Sequence, residues 1–296
     1  MTRTALQATS TFYQASPVLR VSRWALAATQ RIWPALAVRA AVRLFGTPLP
    51  PRWLQRSPRW DPRWQAQRWP FEDGSLTVRT RDVEPDALSV LLVHGWGGHA
   101  GQLLALADAI AAEGLRPVLL ELPAHGANAG KVSNLPQFAR AIDYAAACLQ
   151  QHGHALHAIV AHSLGANAAA YVVSRGVAAQ RLVLLAPPAS PRDYTRYFAH
   201  VFGLSEATRA RMQQAIEARE GVLMAGFEPP SVGGRIHVPT LVVHDHGDRI
   251  NPFAHGEWFA REIVGARLLA TDGLGHRKLL GDPAVLRVVA AFLRTG

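Results

Sequence analysis

A serine hydroxyl is a weak nucleophile unless a neighbouring base takes its proton and an acid orients that base. Separate stretches of this 296-residue chain supply residues of those types. In the first, Ser163 of AHSLG lies between an apolar run (LHAIVA, 156–161) and an alanine-rich helical stretch (164–174). Ala161 and Gly165, two positions before and two after the serine, are small enough for the tight strand–turn–helix that lifts a serine Oγ above a sheet edge. In the second, Asp248 of HDHGDRINP follows the run TLVV and sits in a turn closed by Pro252. In the third, His276 of DGLGHRKLL follows RLLA, in a loop held by Gly273 and Gly275. Serine, acid and histidine in that order, each just past an apolar run, predict Ser163 as nucleophile, His276 as general base and Asp248 as its orienter. A fourth stretch, HGWGG (94–98), ends the run SVLLV in a turn whose backbone can approach a bound carbonyl oxygen closely. The N–H groups of Trp96 and of Leu164, the latter at a helix N-terminus, are the expected oxyanion donors. These are the parts of an acyl-transfer site. His94, Gly95, His162 and His125 are candidates for the substrate rim; each histidine also has a plain structural reading, packing or hydrogen bonding within its turn.

Such residues need a scaffold that brings several strand ends to one edge. Apolar runs at 89–93, 117–122, 156–161, 181–186, 240–243 and 267–270 alternate with helical patterns at 102–113, 136–151, 164–174, 254–264 and 283–294. That rhythm predicts an α/β fold, a mostly parallel central sheet with helices on both faces. Upstream, 64–71 and 75–81 read as a hairpin around Asp73-Gly74. Between residues 186 and 240 lie about fifty residues where a handful is usual. Helical patterns at 193–202 and 206–219 occupy them, and an insertion at this edge is expected to be a helical lid over a ligand crevice. The expected organisation is an arm and connector over 1–62, then one domain over 63–296 with its insertion at about 187–238.

From about Asp73 to Gly296 the chain resembles the α/β-hydrolase superfamily in its lidded, serine esterase-like branch. The resemblance rests on VHGWGG, ELPAHGANAG (similar to the family's D-x-P-G-H-G-x-S), VAHSLGA, HDHGDRINP and GLGHRKLL. It implies Ser163, His276 and Asp248 as a catalytic triad and the amides of Trp96 and Leu164 as the oxyanion hole. It further implies a small-molecule acyl ester or thioester as substrate, cleaved through an acyl-enzyme with no metal and no organic cofactor. Acyl transfer to an acceptor other than water would use the same residues. Serine at the nucleophile position disfavours the superfamily's aspartate-dependent dehalogenases and epoxide hydrolases, whose alkyl–enzyme ester needs a carboxylate. Two departures stand out: Ala124 replaces a family glycine, and Asp245 replaces the glycine usual three residues before the acid. Asp245 is therefore a second candidate for the orienter.

Apolar residues make up 49% of the chain and charged residues 18%, a globular composition that excludes a mostly disordered protein. The single cysteine, Cys148, excludes an intramolecular disulfide and a cysteine zinc site. His152, His154 and His157, like His244 and His246, lack the carboxylate and spacing of a zinc motif, so no metal is expected. The formal charge of +10 lies entirely in residues 1–70, which hold eleven arginines and one acid, Asp61. No nucleic-acid reading module accompanies them, so nucleic acid is not an expected partner. Residues 18–45 read as one or two helices interrupted at Pro34, and 47–62 as a proline-stiffened connector. Two uses of the helical segment stand. It packs its apolar side on the protein's own body with its arginines in water, or it lies on an anionic membrane surface. In the second case the hydrolase-like body would be a scaffold for a membrane or protein partner. No export signal is evident in the sequence, which points to the cytoplasm.

Overall fold

A computed structural model describes residues 17–49, 59–81, 83–84 and 86–294, of which 17–20 are described for backbone only. Most of the expected connector, 50–58 with its Trp53, lies outside the described residues. The chain divides into two compact units, Met1–Thr47 with Ser190–Glu228, and Pro48–Ala189 with Pro229–Gly296.

The larger unit carries the sheet. Its strands are β1 (Trp64–Phe71), β2 (Gly74–Arg81), β3 (Ser89–Val93), β4 (Arg116–Leu120), β5 (Leu156–His162), β6 (Arg181–Leu185), β7 (Thr240–Asp245) and β8 (Arg267–Thr271), in the order β1-β2-β4-β3-β5-β6-β7-β8. β1 and β2 pair antiparallel with each other, as do β2 and β4, and every pairing among β3 to β8 is parallel. The expected fold class is therefore borne out. Parallel strands covered on both faces are near-continuous apolar runs, and every residue of β3 (SVLLV) and β5 (LHAIVAH) is buried, Ser89, His157 and His162 among them. Each fully buried Leu or Val contributes about 1.5–3 kcal/mol relative to exposure. One helical layer places Leu106 and Ile110 with Val285, Val289 and Phe292 against β3, β4 and β5 residues such as Leu92, Leu119 and Val160. The alanine-rich helix after Ser163 buries Ala166, Ala168, Ala169 and Ala170, small side chains that let it lie close to the sheet.

The hairpin is present but centred one residue earlier than expected. Phe71 pairs with Gly74, so Glu72 and Asp73 form its two-residue loop, and Glu72 adopts φ 46°. Its carboxylate accepts hydrogen bonds from Gln137 Nε2 and Arg140 Nε, both at 2.7 Å. These contacts keep an unfavourable residue where glycine would fit more easily.

In the smaller unit, α1 (Pro17–Ile32) and α2 (Pro34–Phe45) are separated where Trp33 leaves helical geometry before Pro34. The insertion forms two longer helices, Pro191–Phe202 and Glu206–Glu220, the second capped by Ser205. Ala41 of α2 packs with Met212, Ile216 and Met224, and Phe45 meets Phe198 edge-on at 5.3 Å. Gln30 clips the turn between the insertion helices: its Nε2 donates to Gly203 O and its Oε1 accepts from Ser205 N. The arm thus packs directly on the insertion's helices. α1 does not, however, turn its apolar side inward: Leu26 and Gln30 face the unit, while Val21, Trp24 and Ile32 are exposed.

Candidate active site

The parallel sheet brings the C-terminal ends of β3, β5, β7 and β8 to one edge, where crevices form in open α/β sheets. At the end of β5 the chain turns at Ser163 with φ 53° and ψ −127°, a strained conformation for a residue with a side chain. The turn is held by Ser163 N donating to Leu185 O at 2.8 Å. Glycines allow the neighbouring backbone to close on it. A Cβ at Gly95 would come within 2.6 Å of Ser163 Cβ, and one at Gly165 would collide with the His94 carbonyl. The need for a small residue at 165 therefore comes from the β3 turn.

His276 lies in a short helical turn, Gly275–Lys278, after β8. Its Nδ1 is 2.7 Å from Asp248 Oδ2 and its Nε2 is 3.1 Å from Ser163 Oγ. An ionised carboxylate only accepts, so Nδ1 carries the proton and Nε2 is free to accept the serine hydroxyl hydrogen. Asp248 is buried, and its Oδ1 accepts from the amides of Ile250 and Asn251 at 2.8 and 2.9 Å. Burial alone would raise its pKa; hydrogen bonds from His244 and His276 and the Asn251 amide outweigh it and hold the carboxyl far below its ordinary range. The three expected residues thus form one hydrogen-bonded chain.

Asp245 does not touch the imidazole. It belongs to β7, and its oxygens accept from Gly247 N at 2.9 Å, Thr271 Oγ1 at 2.8 Å and Leu274 N at 3.0 Å. It anchors the loop that delivers His276. Neither the amide of Trp96 nor that of Leu164 donates to a protein group among the described residues, whereas the following amides of the β3 turn are used: Gly97 N on His125 and Gly98 N on Gly95 O. Two uncommitted N–H groups beside one hydroxyl can receive a carbonyl oxygen that gains negative charge.

The expected rim histidines are corrected by the structure. His94, His125 and His162 are all buried and form the framework behind the site. Leu122 N donates to His94 Nε2, so the opposite ring nitrogen is the donor to Gly95 O, at 2.8 Å. His125 accepts from Gly97 N and, through Nδ1, donates to Pro123 O, which ties the β3 turn to the β4 turn. His162 Nε2 donates to His276 O at 2.9 Å, and its ring lies 4.7 Å from that of His276. Burial keeps its pKa well below the ordinary imidazole value, so it is neutral. Gly95 stands beside Ser163 but as a packing contact.

Sequence reasoning missed three supporting groups. His244 Nε2 donates to Asn251 O at 3.0 Å and lies 3.4 Å from Asp248 Oδ2. Asn251 Nδ2 donates to Ala186 O at 2.7 Å, fastening the acid's loop to the end of β6. Thr271 binds Asp245. The only signal was their place within or beside the same short motifs. His152 and His157, weighed as metal ligands, hydrogen-bond to Cys148 O and to Gln180 and Leu293 O.

A mostly parallel eight-stranded sheet with a serine in a strained turn at its central strand defines the class by its architecture: this is the α/β-hydrolase fold. Residues 84–219 match the serine aminopeptidase S33 family, and residues 225–296 match the TAP-like protein family. The chain is 26% identical over 261 residues to the pimeloyl-[acyl-carrier protein] methyl ester esterase of Chromobacterium violaceum, covering 75% of this chain and 99% of that one. Among solved structures it is similar to an esterase of Pyrococcus furiosus (TM-score 0.63, 17% identity, 81% and 97% of the two chains). It is also similar to Est1E of Butyrivibrio proteoclasticus with ferulic acid bound (TM-score 0.63, 16% identity, 77% and 96%).

Proposed function

We propose that this protein is a serine hydrolase of carboxylic esters that works through an acyl-enzyme. The observation that carries the reading is the hydrogen-bonded chain Ser163–His276–Asp248 beside two uncommitted amides. The similarity to a methyl ester esterase supports the substrate class. His276 Nε2 takes the Ser163 proton as Oγ bonds to the ester carbonyl carbon, and the N–H groups of Trp96 and Leu164 hold the resulting oxyanion. Asp248 stabilises the imidazolium. The carbon–oxygen bond to the alcohol breaks, and the leaving oxygen receives the proton from His276. Water, deprotonated by the same histidine, then attacks the acyl-serine, releasing the acid and returning the proton to Ser163.

The test is turnover of p-nitrophenyl esters by the wild type and Ser163→Ala, with fluorophosphonate labelling mapped by mass spectrometry. The expected result is a label on Ser163 and loss of turnover in the variant. Turnover and labelling that persist unchanged in Ser163→Ala would overturn the assignment.

A further inference from the structure

The face of α1 that the smaller unit leaves uncovered is apolar. At 100° per residue, positions 21, 24, 28 and 32 share one side of the helix. Val21, Trp24 and Ile32 on that side are 68%, 78% and 63% exposed. Trp33, at the break between the helices, and Leu36, in the first turn of α2, continue the patch and are also exposed. Single exposed apolar residues are ordinary, but five on consecutive helices, two of them tryptophan, form a contiguous patch that marks an interaction site. A shallow groove along it is lined by Ile32, Trp33, Pro34, Leu36 and Arg39.

The charge around the patch has one sign. Residues 17–49 contain five arginines and no acid, whereas 190–228 contain five arginines and five acids. In the latter segment Arg192, Arg196, Arg209 and Arg219 each pair with a carboxylate. Arg31, Arg39 and Arg43 are exposed and pair with no acid among the described residues.

We propose that the exposed face of α1 and α2 docks on an anionic lipid bilayer. Trp24 and Trp33 would sit at the boundary between headgroups and acyl chains, the level at which an indole satisfies both its ring and its N–H. The unpaired arginines face lipid phosphates, which guanidinium forks bind well. The contact is peripheral. α1 has 16 residues, about 24 Å of helix against the roughly 30 Å of a hydrocarbon core, and Pro34 interrupts its continuation. No described helix is long and apolar enough to cross a membrane. A second copy is a poorer occupant, because its matching face carries the same unpaired arginines. Nucleic acid would answer the arginines and leave Val21, Ile32 and Leu36 without a partner.

The experiment is co-sedimentation of the full chain with phosphatidylcholine vesicles with and without phosphatidylglycerol, at low and high salt. Expected is binding to the phosphatidylglycerol vesicles, weakened by salt and little seen with phosphatidylcholine alone. Trp24→Ser/Trp33→Ser should lower the partition coefficient about tenfold or more, and Arg31→Gln/Arg39→Gln should remove the preference for anionic lipid. All four side chains are exposed, and turnover of a water-soluble ester, unaffected in both variants, reports that each has folded. Lack of vesicle binding by the wild type, or binding unchanged by the tryptophan substitutions, overturns the proposal. So does a concentration-dependent dimer that Trp24→Ser/Trp33→Ser abolishes. None of these outcomes bears on Ser163, so the lipid surface and the ester hydrolase reading stand or fall separately.

Discussion

Asp248→Asn keeps the side chain's volume and changes which atoms can donate. Asp248 Oδ1 accepts two backbone amides, so the amide oxygen of the replacement must stay there and its NH2 must take the place of Oδ2, 2.7 Å from His276 Nδ1. A donor at that position forces Nδ1 to accept, moves the proton to Nε2, and points an N–H at Ser163 Oγ across the 3.1 Å gap. The base is then lost while the nucleophile remains. The expected fall in kcat is on the order of 10³–10⁴, about 4–5.5 kcal/mol of transition-state stabilisation, with little change in KM. Asp245→Asn is the matched control. Either orientation of its amide puts NH2 against a backbone N–H, that of Gly247 or that of Leu274. One buried N–H left unpaired costs about 1–3 kcal/mol, which should appear chiefly as lost stability. The assay is kcat and KM on p-nitrophenyl butyrate for the three proteins, with urea unfolding of the same samples. Equal losses of kcat, or the larger loss in Asp245→Asn at unchanged stability, would refute the assignment of Asp248.

Ser163→Gly should stabilise the protein by about 1 kcal/mol relative to Ser163→Ala, because glycine adopts φ 53° without the penalty a Cβ incurs, while both lack turnover. Urea midpoints measure this, and a glycine variant no more stable than the alanine one contradicts a strained turn. The depressed pKa of Asp248 also fixes a pH dependence. A carboxyl whose folded-state pKa lies below its unfolded value of about 3.9 contributes stability that is complete above that value. The contribution is lost as pH falls from there toward the folded-state pKa. Unfolding free energy measured below about pH 4 should therefore fall more steeply with acidification in the wild type than in Asp248→Asn.

Elements with one strong pattern were legible in the sequence. The helix after Ser163 and the run SVLLV have the same limits in sequence and structure, because a buried parallel strand reads as a near-continuous apolar run and the tight turn at Ser163 fixes where the helix begins. The break at Pro34 followed from ring geometry alone. The choice between Asp245 and Asp248 was not legible. Expected to end at residue 243, β7 in fact runs to Asp245, whose pairing with Thr271 of β8 turns that carboxylate to the histidine loop's backbone. Position in sequence placed His94, His125 and His162 near the edge correctly, but which way a ring points at a strand end depends on neighbouring strands. The orientation of α1 escaped for a similar reason. Its pattern left two uses open, an apolar side turned inward or laid on a membrane surface, and did not mark which side packs; in the structure that side carries Leu26 and Gln30, whose amide is satisfied by two backbone groups 173 and 175 residues away.

The site's parts come from separate strand ends, and each is fixed by a hydrogen bond from a neighbouring segment. The loop of His276 is held twice, by Asp245 at Leu274 N and by His162 at the carbonyl of His276 itself. The loop of Asp248 is tied by Asn251 to Ala186, which closes β6 with φ 48°. The turn bearing Trp96 is fastened through Gly97 to His125. These ties use backbone groups around the site and, among the described residues, leave the amides of Trp96 and Leu164 without a protein acceptor. A donor already oriented needs no reorganisation when charge develops, and this is where electrostatic stabilisation of an oxyanion has its advantage over water. The strain at Ser163 fits the same scheme: the surrounding ladder over-determines its backbone, so the hydroxyl stays within reach of Nε2 before any substrate arrives.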